Sequence, residues 1–323
     1  MRAIRFHKTG DPDVLQIDQI PDPSPAAGQV LVAVKAIGVN PYEAYIRSGK
    51  YPTQLPLPAI LGNDAAGVIE RVGDGVTHWK RGDRVYTSQC VTGAYAELTV
   101  CDAKHVHALP AHVSFAQGAA LNVPYATAYR ALFHRAETKP GEWVLIHGAS
   151  GGVGIACVQF AAAHGCKVIG TAGSARGLEL VKNEGAHHAF NHREDGYING
   201  IAKLCASADG GGVDVIVEML ANVNLDHDLS LLAKFGRVVI VGNRGRIEID
   251  PRQTMGKELS ILGMQLWAAG EKPLLEAHEA IVAGLEAKTL RPVVGTELPM
   301  DAAAQAHRQI MEGAAHGKIV LIP

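Results

Sequence analysis

Short apolar runs separated by turn residues fill the first third of the chain. The runs lie at residues 30–37, 65–72 and 83–86. Gly, Pro and Asp turns such as Gly73-Asp74-Gly75 separate them, a spacing typical of β-strands joined by tight turns. The pattern predicts a β-rich, partly rolled sheet. Between residues 118 and 134 it changes to an Ala-rich helical periodicity, which places a domain boundary nearby.

From Trp143 onward, short apolar strands alternate with helices. Strands are predicted at residues 143–147, 167–171, 214–218 and 236–241. Helices are predicted between them, including residues 153–164 and 175–184. Because these strands are apolar at consecutive positions and alternate with helices, they predict a parallel sheet covered on both faces. Later segments are predicted to be helical at 274–285 and 302–311, and the last is a strand at 318–322.

The predicted fold class is therefore α/β, with two domains. A Rossmann-type, doubly wound parallel sheet is predicted over residues 124–266. A β-rich domain with a partly open barrel is predicted from residues 1–123 and 267–323. A length of 323 residues suits two domains of ordinary size.

Composition and charge exclude several classes of protein. Hydrophobic residues make up 47% of the chain and charged residues 19%, which excludes disorder for the bulk of it. The net charge is −2 and no run of five basic residues occurs, which argues against nucleic acid as a partner. No apolar stretch reaches the ~18 residues of a membrane span, and the N-terminus lacks a signal-peptide pattern. We expect a cytoplasmic protein without membrane partners.

Cysteines and histidines give no metal-binding pattern. The five cysteines form no C-x-x-C pair, and their number is odd. The fifteen histidines are scattered, without an acid or cysteine partner at ligand spacing. The sequence therefore predicts neither a disulfide framework nor a metal site.

The segment from Trp143 to Gly154 reads as a strand, a glycine-dense turn and a helix. Against the dinucleotide-binding pattern G-x-G-x-x-G its register is Ala149, Gly151 and Gly154, with Ala at the first position. Gly151 lets the backbone approach a pyrophosphate, and Gly154 lets the helix pack on the strand. Amide groups at the helix N-terminus then face the anion. This context predicts dinucleotide binding.

The end of the second strand favours NADPH over NADH. An NAD-specific fold places an acid there, about 20 residues after the glycine turn, for the ribose 2′-hydroxyl. This chain instead continues with residues 172–176, Ala-Gly-Ser-Ala-Arg, and its first carboxylate is Glu179. One or two hydrogen bonds to a 2′-phosphate would favour NADPH by about tenfold to several hundredfold. The alternative is that Arg176 is only a solvated residue at a helix start.

Several strings resemble one enzyme superfamily along nearly the whole chain. They include GVNPYEAYIRSG from Gly38, HGASGGVG from His147, NHRED from Asn191, EMLANVNL from Glu218 and GKIVLIP at the end. The sequence resembles the medium-chain dehydrogenase/reductase superfamily and, within it, the zeta-crystallin-like quinone oxidoreductases. The resemblance implies a GroES-like catalytic domain beside the Rossmann domain.

The chain departs from the zinc-dependent relatives at their metal ligands. Those relatives place a Cys early in the first domain and a Gly-His-Glu motif about two dozen residues later. This chain has Asn40 and the segment Gly62-Asn63-Asp64 instead. Asn is a poor zinc ligand, so we expect a zinc-free protein. Without a Lewis acid, alcohol oxidation loses its main electrophile, whereas a quinone needs no such activation.

The resemblance also implies a set of site residues. Tyr45 is implied to lie against the cofactor near the nicotinamide and is the one catalytic candidate. Asn40 and Thr127 are weaker additions around the nicotinamide amide. The other implied cofactor contacts are Ser150, Gly151, Gly152, Val153, Gly173, Ser174, His192, Asn224, Val241, Gly242, Asn243, Arg244, Met264, Gln265 and Leu266. Tyr45 as a core tyrosine and His192 as a surface histidine are the simpler alternatives.

The expected function is NADPH-dependent quinone reduction without zinc, by hydride or one-electron transfer. The same fold and cofactor also suit a 2-enone or 2-alkenal reductase, with another conjugated carbonyl as substrate. A crystallin-type or RNA-binding role without catalysis is a further alternative, which the near-neutral charge argues against for RNA. Relatives pair the sheet edge formed by residues 259–262, so a homo-oligomer, dimer or tetramer, is expected.

Overall fold

The computed structural model describes residues 1–52, 55–206, 211–313 and 316–323. It divides into two compact units, one of residues 1–123, 282–286 and 291–323, the other of residues 124–281 and 287–290. The predicted return to the β-rich domain began at residue 267. The contacts instead group residues 267–281 and 287–290 with the second unit.

Strands and helices are numbered in chain order. The strands are β1 (Arg2–Phe6), β2 (Gln16–Gln19), β3 (Gln29–Gly38), β4 (Ala59–Ile60), β5 (Ala65–Val72), β6 (Arg84–Thr87), β7 (Leu98–Asp102), β8 (Val106–Ala108), β9 (Trp143–Ile146), β10 (Lys167–Ala172), β11 (His188–Asn191), β12 (Val213–Glu218), β13 (Leu232–Ile240), β14 (Ser260–Gly263), β15 (Val294–Pro299) and β16 (Lys318–Ile322). The α-helices are α1 (Pro41–Arg47), α2 (Phe115–Gly118), α3 (Thr127–Tyr129), α4 (Gly152–Ala163), α5 (Ala175–Asn183), α6 (Tyr197–Cys205), α7 (Ala221–Leu231), α8 (Arg252–Met255), α9 (Glu271–Glu286) and α10 (Ala303–Glu312). Within the described ranges, no helix has both the length and the apolar character needed to cross a membrane.

The first unit is built around the long apolar strand β3. A sheet runs in the order β15-β16-β3-β5-β6-β8, and β7 also pairs with β3. A small sheet, β2-β1-β4, completes the unit. Side chains such as Phe6, Ile37, Leu61 and Leu321 share one buried core. The order leaves the sheet open, and the predicted β-rich, partly open GroES-like domain is confirmed.

The second unit contains a six-stranded sheet in the order β11-β10-β9-β12-β13-β14. Every neighbouring pair in it is parallel. Numbered within the unit, this is the Rossmann order 3-2-1-4-5-6, so the predicted doubly wound sheet is confirmed. The strand order reverses between β9 and β12. Ligands of such sheets bind at this reversal, beyond the carboxyl ends of the strands.

The glycine turn after β9 packs backbone against backbone. Gly148, with φ +58°, makes the left-handed turn, one residue before the position expected from the sequence. Gly151 precedes α4, and its amide donates to the carbonyl of Gly148 at 3.1 Å. A methyl group at Gly154 would lie 2.4 Å from the carbonyl oxygen of Gly148 and 2.6 Å from Cα of Ala149. The close approach therefore requires glycine at position 154, and the positive φ favours glycine at position 148.

We predict that Gly154→Ala lowers the free energy of unfolding by about 1–3 kcal/mol, because the added methyl meets backbone atoms that cannot rotate away. Gly256→Ala is the matched control, since a methyl there meets nothing within 4 Å and φ is −68°. Differential scanning calorimetry of the three proteins measures the shift. Equal melting profiles for the two variants would contradict the close approach.

Candidate functional site

The glycine turn is anchored to the end of the neighbouring strand β10. The amide of Gly148 donates to Oγ1 of Thr171 at 3.2 Å, and the amide of Ala149 donates to the Thr171 carbonyl at 2.8 Å. The predicted contacts Ser150, Gly151, Gly152 and Val153 follow this anchor directly. The first amides of α4 have no acceptor within the helix and carry the positive end of its dipole. This turn therefore offers a site for a pyrophosphate.

Three side-chain positions converge beside the glycine turn at the ends of β10 and β11. The hydroxyl of Ser174 accepts from the amide of Gly177 and caps α5. A methyl group built on Gly173 would lie 2.7 Å from Nε2 of His192 and 2.9 Å from Nε of Arg193. The structure thus brings Gly173, Ser174 and His192 together, and the guanidinium of Arg193 lies beside them.

The sequence analysis missed Arg193. Arg193 belongs to the string NHRED, from which the sequence analysis selected only His192 as a candidate. Partial desolvation, and then the charge of Arg193, lowers the pKa of the exposed His192 ring. Arg176 is an exposed residue in the first turn of α5. Among the described residues of this pocket, Arg193 is thus the cation placed directly against Gly173.

The strand ends beyond β12 and β13 hold another group of predicted contacts. Asn224 donates its Nδ2 to Oε1 of Glu218 at 3.1 Å. The amides of Val241 and Gly242 donate to the Glu218 carbonyl at 2.9 and 3.2 Å. The amide of Arg244 donates to Asn222 at 2.8 Å, and Asn243 donates to the carbonyl of Gly245. The segments 218–224 and 241–244 therefore form one continuous rim.

The segment Met264, Gln265 and Leu266 is held by a guanidinium that the sequence analysis did not select. Nη1 of Arg130 donates to the carbonyl oxygens of Gln265 and Leu266, at 3.0 Å for Leu266, and lies 3.7 Å from Sδ of Met264. Thr127, the remaining candidate of this unit, is buried in α3 one turn earlier. Arg130 thus fixes the backbone of the predicted contact segment 264–266.

Three buried titratable side chains lie directly behind the glycine turn. Nε2 of His147 lies 2.9 Å from Oδ1 of Asp228 and 3.7 Å from Oε2 of Glu218. Nδ1 of His147 lies 3.3 Å from the hydroxyl of Thr171. A neutral ring that donates from Nε2 and accepts at Nδ1 satisfies both contacts. Within the described part of the chain, this is the group whose His and carboxylate atoms are close enough to share a metal ion.

A shared proton explains the two carboxyl groups better. Oε2 of Glu218 and Oδ2 of Asp228 are buried and have no donor among the described residues. Burial, together with the neighbouring carboxylate in the case of Glu218, raises the pKa of each group to about 7. Burial lowers the pKa of His147, which keeps the ring neutral. One proton held between the two acids compensates the cluster without a metal.

In the first unit, Tyr45 lies on α1 with a partly exposed side chain. Among the residues that the structure describes, none hydrogen-bonds its hydroxyl group, although its carbonyl accepts from Ser48 and Lys50. This differs from the alternative of a core tyrosine with a satisfied hydroxyl.

Asn40 lies in a buried polar network. Its Nδ2 donates to Asp64 at 2.9 Å, and its Oδ1 accepts from Nζ of Lys318 at 2.5 Å. Nζ of Lys318 also contacts Asp64 at 2.9 Å, and the side chains of both partners are at least 96% buried. The Lys318 ammonium thus occupies the space between the segments that carry zinc ligands in the metal-dependent relatives. The residues there do not fit a zinc ion.

The same network continues to two further buried groups. Glu43 accepts from the amide of Asn40 at 2.9 Å and from the Tyr95 hydroxyl at 2.7 Å. The Tyr95 oxygen lies 3.1 Å from Nε2 of His307. Burial, and then the charge of Asp64, raises the pKa of Glu43 to about 7, while burial lowers the pKa of His307 to about 3. The histidine is therefore neutral and donates from Nε2.

We predict a pH dependence of stability from the Glu218–Asp228 pair. The folded pair keeps a proton up to about pH 7, whereas the unfolded chain releases it near pH 4. The contribution of one proton of this pair to the free energy of unfolding therefore falls as pH rises between these values, by at most about 1.4 kcal/mol per pH unit. Glu43, whose pKa is also raised to about 7, adds a slope of the same sign that every variant retains. Asp228→Asn supplies a permanent donor and is expected to flatten the slope that the pair adds.

Urea unfolding followed from pH 4.5 to 8 measures the effect. Asp226→Asn is the matched control, since that carboxylate lies on the same helix but accepts from Gln253 instead of facing the cluster. An unchanged slope in Asp228→Asn would contradict the shared proton.

Comparison with known proteins identifies the family. Two family models match the chain, "Zinc-binding dehydrogenase" over residues 152–278 and "Alcohol dehydrogenase GroES-like domain" over residues 26–111. A human protein named quinone oxidoreductase is 49% identical over 324 residues, covering 100% of this chain and 98% of the relative.

Two solved structures agree over the full chain. The Escherichia coli quinone oxidoreductase complexed with NADPH is 33% identical, with a TM-score of 0.89 and 100% coverage of both chains. A crystal structure of an NAD-dependent alcohol dehydrogenase is 29% identical, with a TM-score of 0.92 and the same coverage. The resemblance seen in the sequence is thereby confirmed. The chain belongs to the quinone oxidoreductase family of the medium-chain dehydrogenase/reductase superfamily.

Proposed function

We propose that the protein is an NADPH-dependent quinone reductase that works without zinc. The full-length similarity to quinone oxidoreductases, one of them solved with NADPH, carries this proposal. Relatives with these names favour quinones over 2-enones and 2-alkenals as acceptors, and they favour an enzyme over a crystallin-type or RNA-binding role. The polar end of β10 supports NADPH, because a carboxylate there would repel a 2′-phosphate.

The residues at the strand ends fit a dinucleotide with a 2′-phosphate. The helix start at residues 150–153 would hold the pyrophosphate, and Gly173, Ser174, His192 and Arg193 would surround the 2′-phosphate. Gly173 leaves open the space that a Cβ would fill against His192 and Arg193. When bound, NADPH supplies the reducing electrons. The rims at residues 241–244 and 264–266 would position its remaining groups.

Hydrogen bonding, instead of a Lewis acid, would stabilise the negative charge that the acceptor carbonyl gains on reduction. The Tyr45 hydroxyl, without a partner among the described residues, would orient the acceptor carbonyl or donate to it. The Lys318 ammonium is committed to Asn40 and Asp64, so it stabilises the buried carboxylate rather than a substrate. Solvent would supply the final proton. Because a quinone is already electrophilic, positioning is the main demand on the chain.

A cytoplasmic location and a homo-oligomeric state are further parts of the proposal. Strand β14 lies at one end of the parallel sheet, and its residues are mostly exposed. Ile261 is 38% exposed on this edge. An exposed sheet edge is commonly covered by a second copy of the chain.

We predict NADPH oxidation at 340 nm that depends on an ortho- or para-quinone and is unchanged by added zinc or a chelator. Tyr45→Phe removes the hydroxyl without changing the ring, and we expect quinone turnover to fall by about tenfold, the loss of one hydrogen bond. Tyr51→Phe is the matched control. Turnover with α,β-unsaturated ketones but not with quinones would overturn the proposal, as would loss of activity on chelation.

We predict that Arg193 contributes to the preference for NADPH. Arg193→Ala removes an exposed charge from the 2′-phosphate pocket, so the KM for NADPH should rise about tenfold while the KM for NADH stays the same. Lys182→Ala, which removes an exposed cation from α5, is the matched control. Equal losses with both cofactors would place Arg193 outside the pocket.

A further inference from the structure

Two cysteine sulfur atoms lie close together in the first unit. Sγ of Cys101 is 3.7 Å from Sγ of Cys90. Cys101 is fully buried in β7, whereas Cys90, which follows β6, is partly exposed. The other three cysteines, Cys157, Cys166 and Cys205, are buried as free thiols. A pair of this kind was not apparent in the sequence, where eleven positions separate the two residues.

Contacts between neighbouring residues bring the two cysteines side by side. The amide of Val91 donates to the carbonyl of Val100 at 2.8 Å, and the hydroxyl groups of Thr92 and Thr99 lie 3.3 Å apart. These contacts hold the segment after β6 against β7, with the two sulfur atoms 3.7 Å apart. Closing the bond to about 2.05 Å requires the sulfur atoms to approach by about 1.7 Å.

The surroundings give the two sulfur atoms different roles. The hydrogen bond that Cys101 donates lowers the pKa of Cys90 against the opposing effect of burial, and the hydrogen bonds that Cys90 shares with Thr87 and Thr99 lower it further. The pKa of Cys101 is raised well above its usual range by the same pairing and by burial. The thiolate is the form that attacks oxidants. Because Cys90 is partly exposed whereas Cys101 is fully buried, an oxidant reaches Cys90 first. Cys90 is therefore the attacking sulfur, and Cys101 supplies the second thiol.

We infer that Cys90 and Cys101 form a dithiol–disulfide pair, a modification site at which hydrogen peroxide oxidises the two thiols to one cystine. The Cys90 thiolate attacks the peroxide, so an S–O bond forms, the O–O bond breaks and hydroxide leaves. The Cys101 sulfur then attacks the Cys90 sulfur, so the S–S bond forms and the S–O bond breaks. The protons of both thiols end in water. Two thiols and one hydrogen peroxide give one disulfide and two water molecules.

The pair is connected through Asn63 to α1, the helix that carries Tyr45. The amide of Cys90 donates to Oδ1 of Asn63 at 3.1 Å, and Nδ2 of Asn63 donates to the Tyr42 hydroxyl at 3.1 Å. Sγ of Cys90 also lies 3.7 Å from the Asn63 carbonyl. Closing the disulfide draws Cys90 toward β7 and away from these contacts. An effect on quinone turnover follows, and this effect alone rests on the proposed function.

The pair is tested by mapping thiols after exposure of the reduced full-length protein to hydrogen peroxide. No Lys or Arg lies between positions 84 and 104, so one tryptic peptide carries both cysteines. After alkylation in denaturant, we expect this peptide to be about 2 Da lighter than its reduced form and unalkylated, a cystine loop. Thiols titrated in denaturant should fall from the five cysteines of the chain to three. Dithiothreitol should reverse both changes.

Variants separate the two roles and the effect on activity. Cys101→Ala should stop the oxidation at a Cys90 sulfenic acid that dimedone traps, whereas Cys157→Ala, the matched control, should still form the loop. Peroxide should lower quinone turnover of the original protein severalfold but leave Cys90→Ser unaffected. Oxidation of Cys157, Cys166 or Cys205 before the pair, or sulfinic acid at Cys90 with Cys101 alkylated, would overturn the inference. Formation of the cystine loop is measured by mass and thiol titration, without an activity assay. A failure of the disulfide inference is therefore distinguishable from a failure of the proposed function.

Discussion

The first unit depends on one buried ion pair, between Lys318 and Asp64. The two residues lie 254 positions apart, and both are almost completely removed from solvent. A buried charge is tolerated only when it is paired and fully hydrogen-bonded. Here the Asp64 carboxylate also accepts from the amides of Asn40 and Asn122 and from the Val123 backbone. The last strand, the end of β3 and the start of β5 are thereby held at one point.

In the second unit, a proton instead of a lysine compensates the charge of the buried carboxyl groups. His147, Glu218 and Asp228 are buried at the reversal of strand order, where the ligand face requires polar strand ends. A shared proton neutralises one acid, and Thr171 connects the histidine to the glycine turn. Both units therefore contain a buried polar cluster among or directly beside the predicted site residues. Such groups keep their geometry because any displacement leaves a buried charge unpaired.

The sequence predicted what periodicity and turn chemistry encode. Strands β9, β10, β12 and β13 were found because parallel strands are apolar at consecutive positions. Strand β11, which is only partly buried and carries a histidine, lacks such a pattern and was missed. Helix α7 has apolar residues spread around it, and no bounds were predicted for it. Resemblance located candidate contacts, but it did not reveal Arg193, Arg130 or Lys318. Their roles come from long-range contacts, which no local pattern records.

The Lys318 contact also changes how the missing zinc ligands are understood. Replacing a Cys and a His by Asn would by itself leave a buried carboxylate, Asp64, without a compensating cation. A strand from the far end of the chain supplies that cation as an ammonium, which has no vacant coordination position and so no Lewis acidity toward a carbonyl. The same contact therefore compensates Asp64 and joins the last strand to the segments that carry Asn40 and Asp64. In the proposed zinc-free function, substrate activation rests on hydrogen bonding and orientation, which suffices for an acceptor that is electrophilic before it binds.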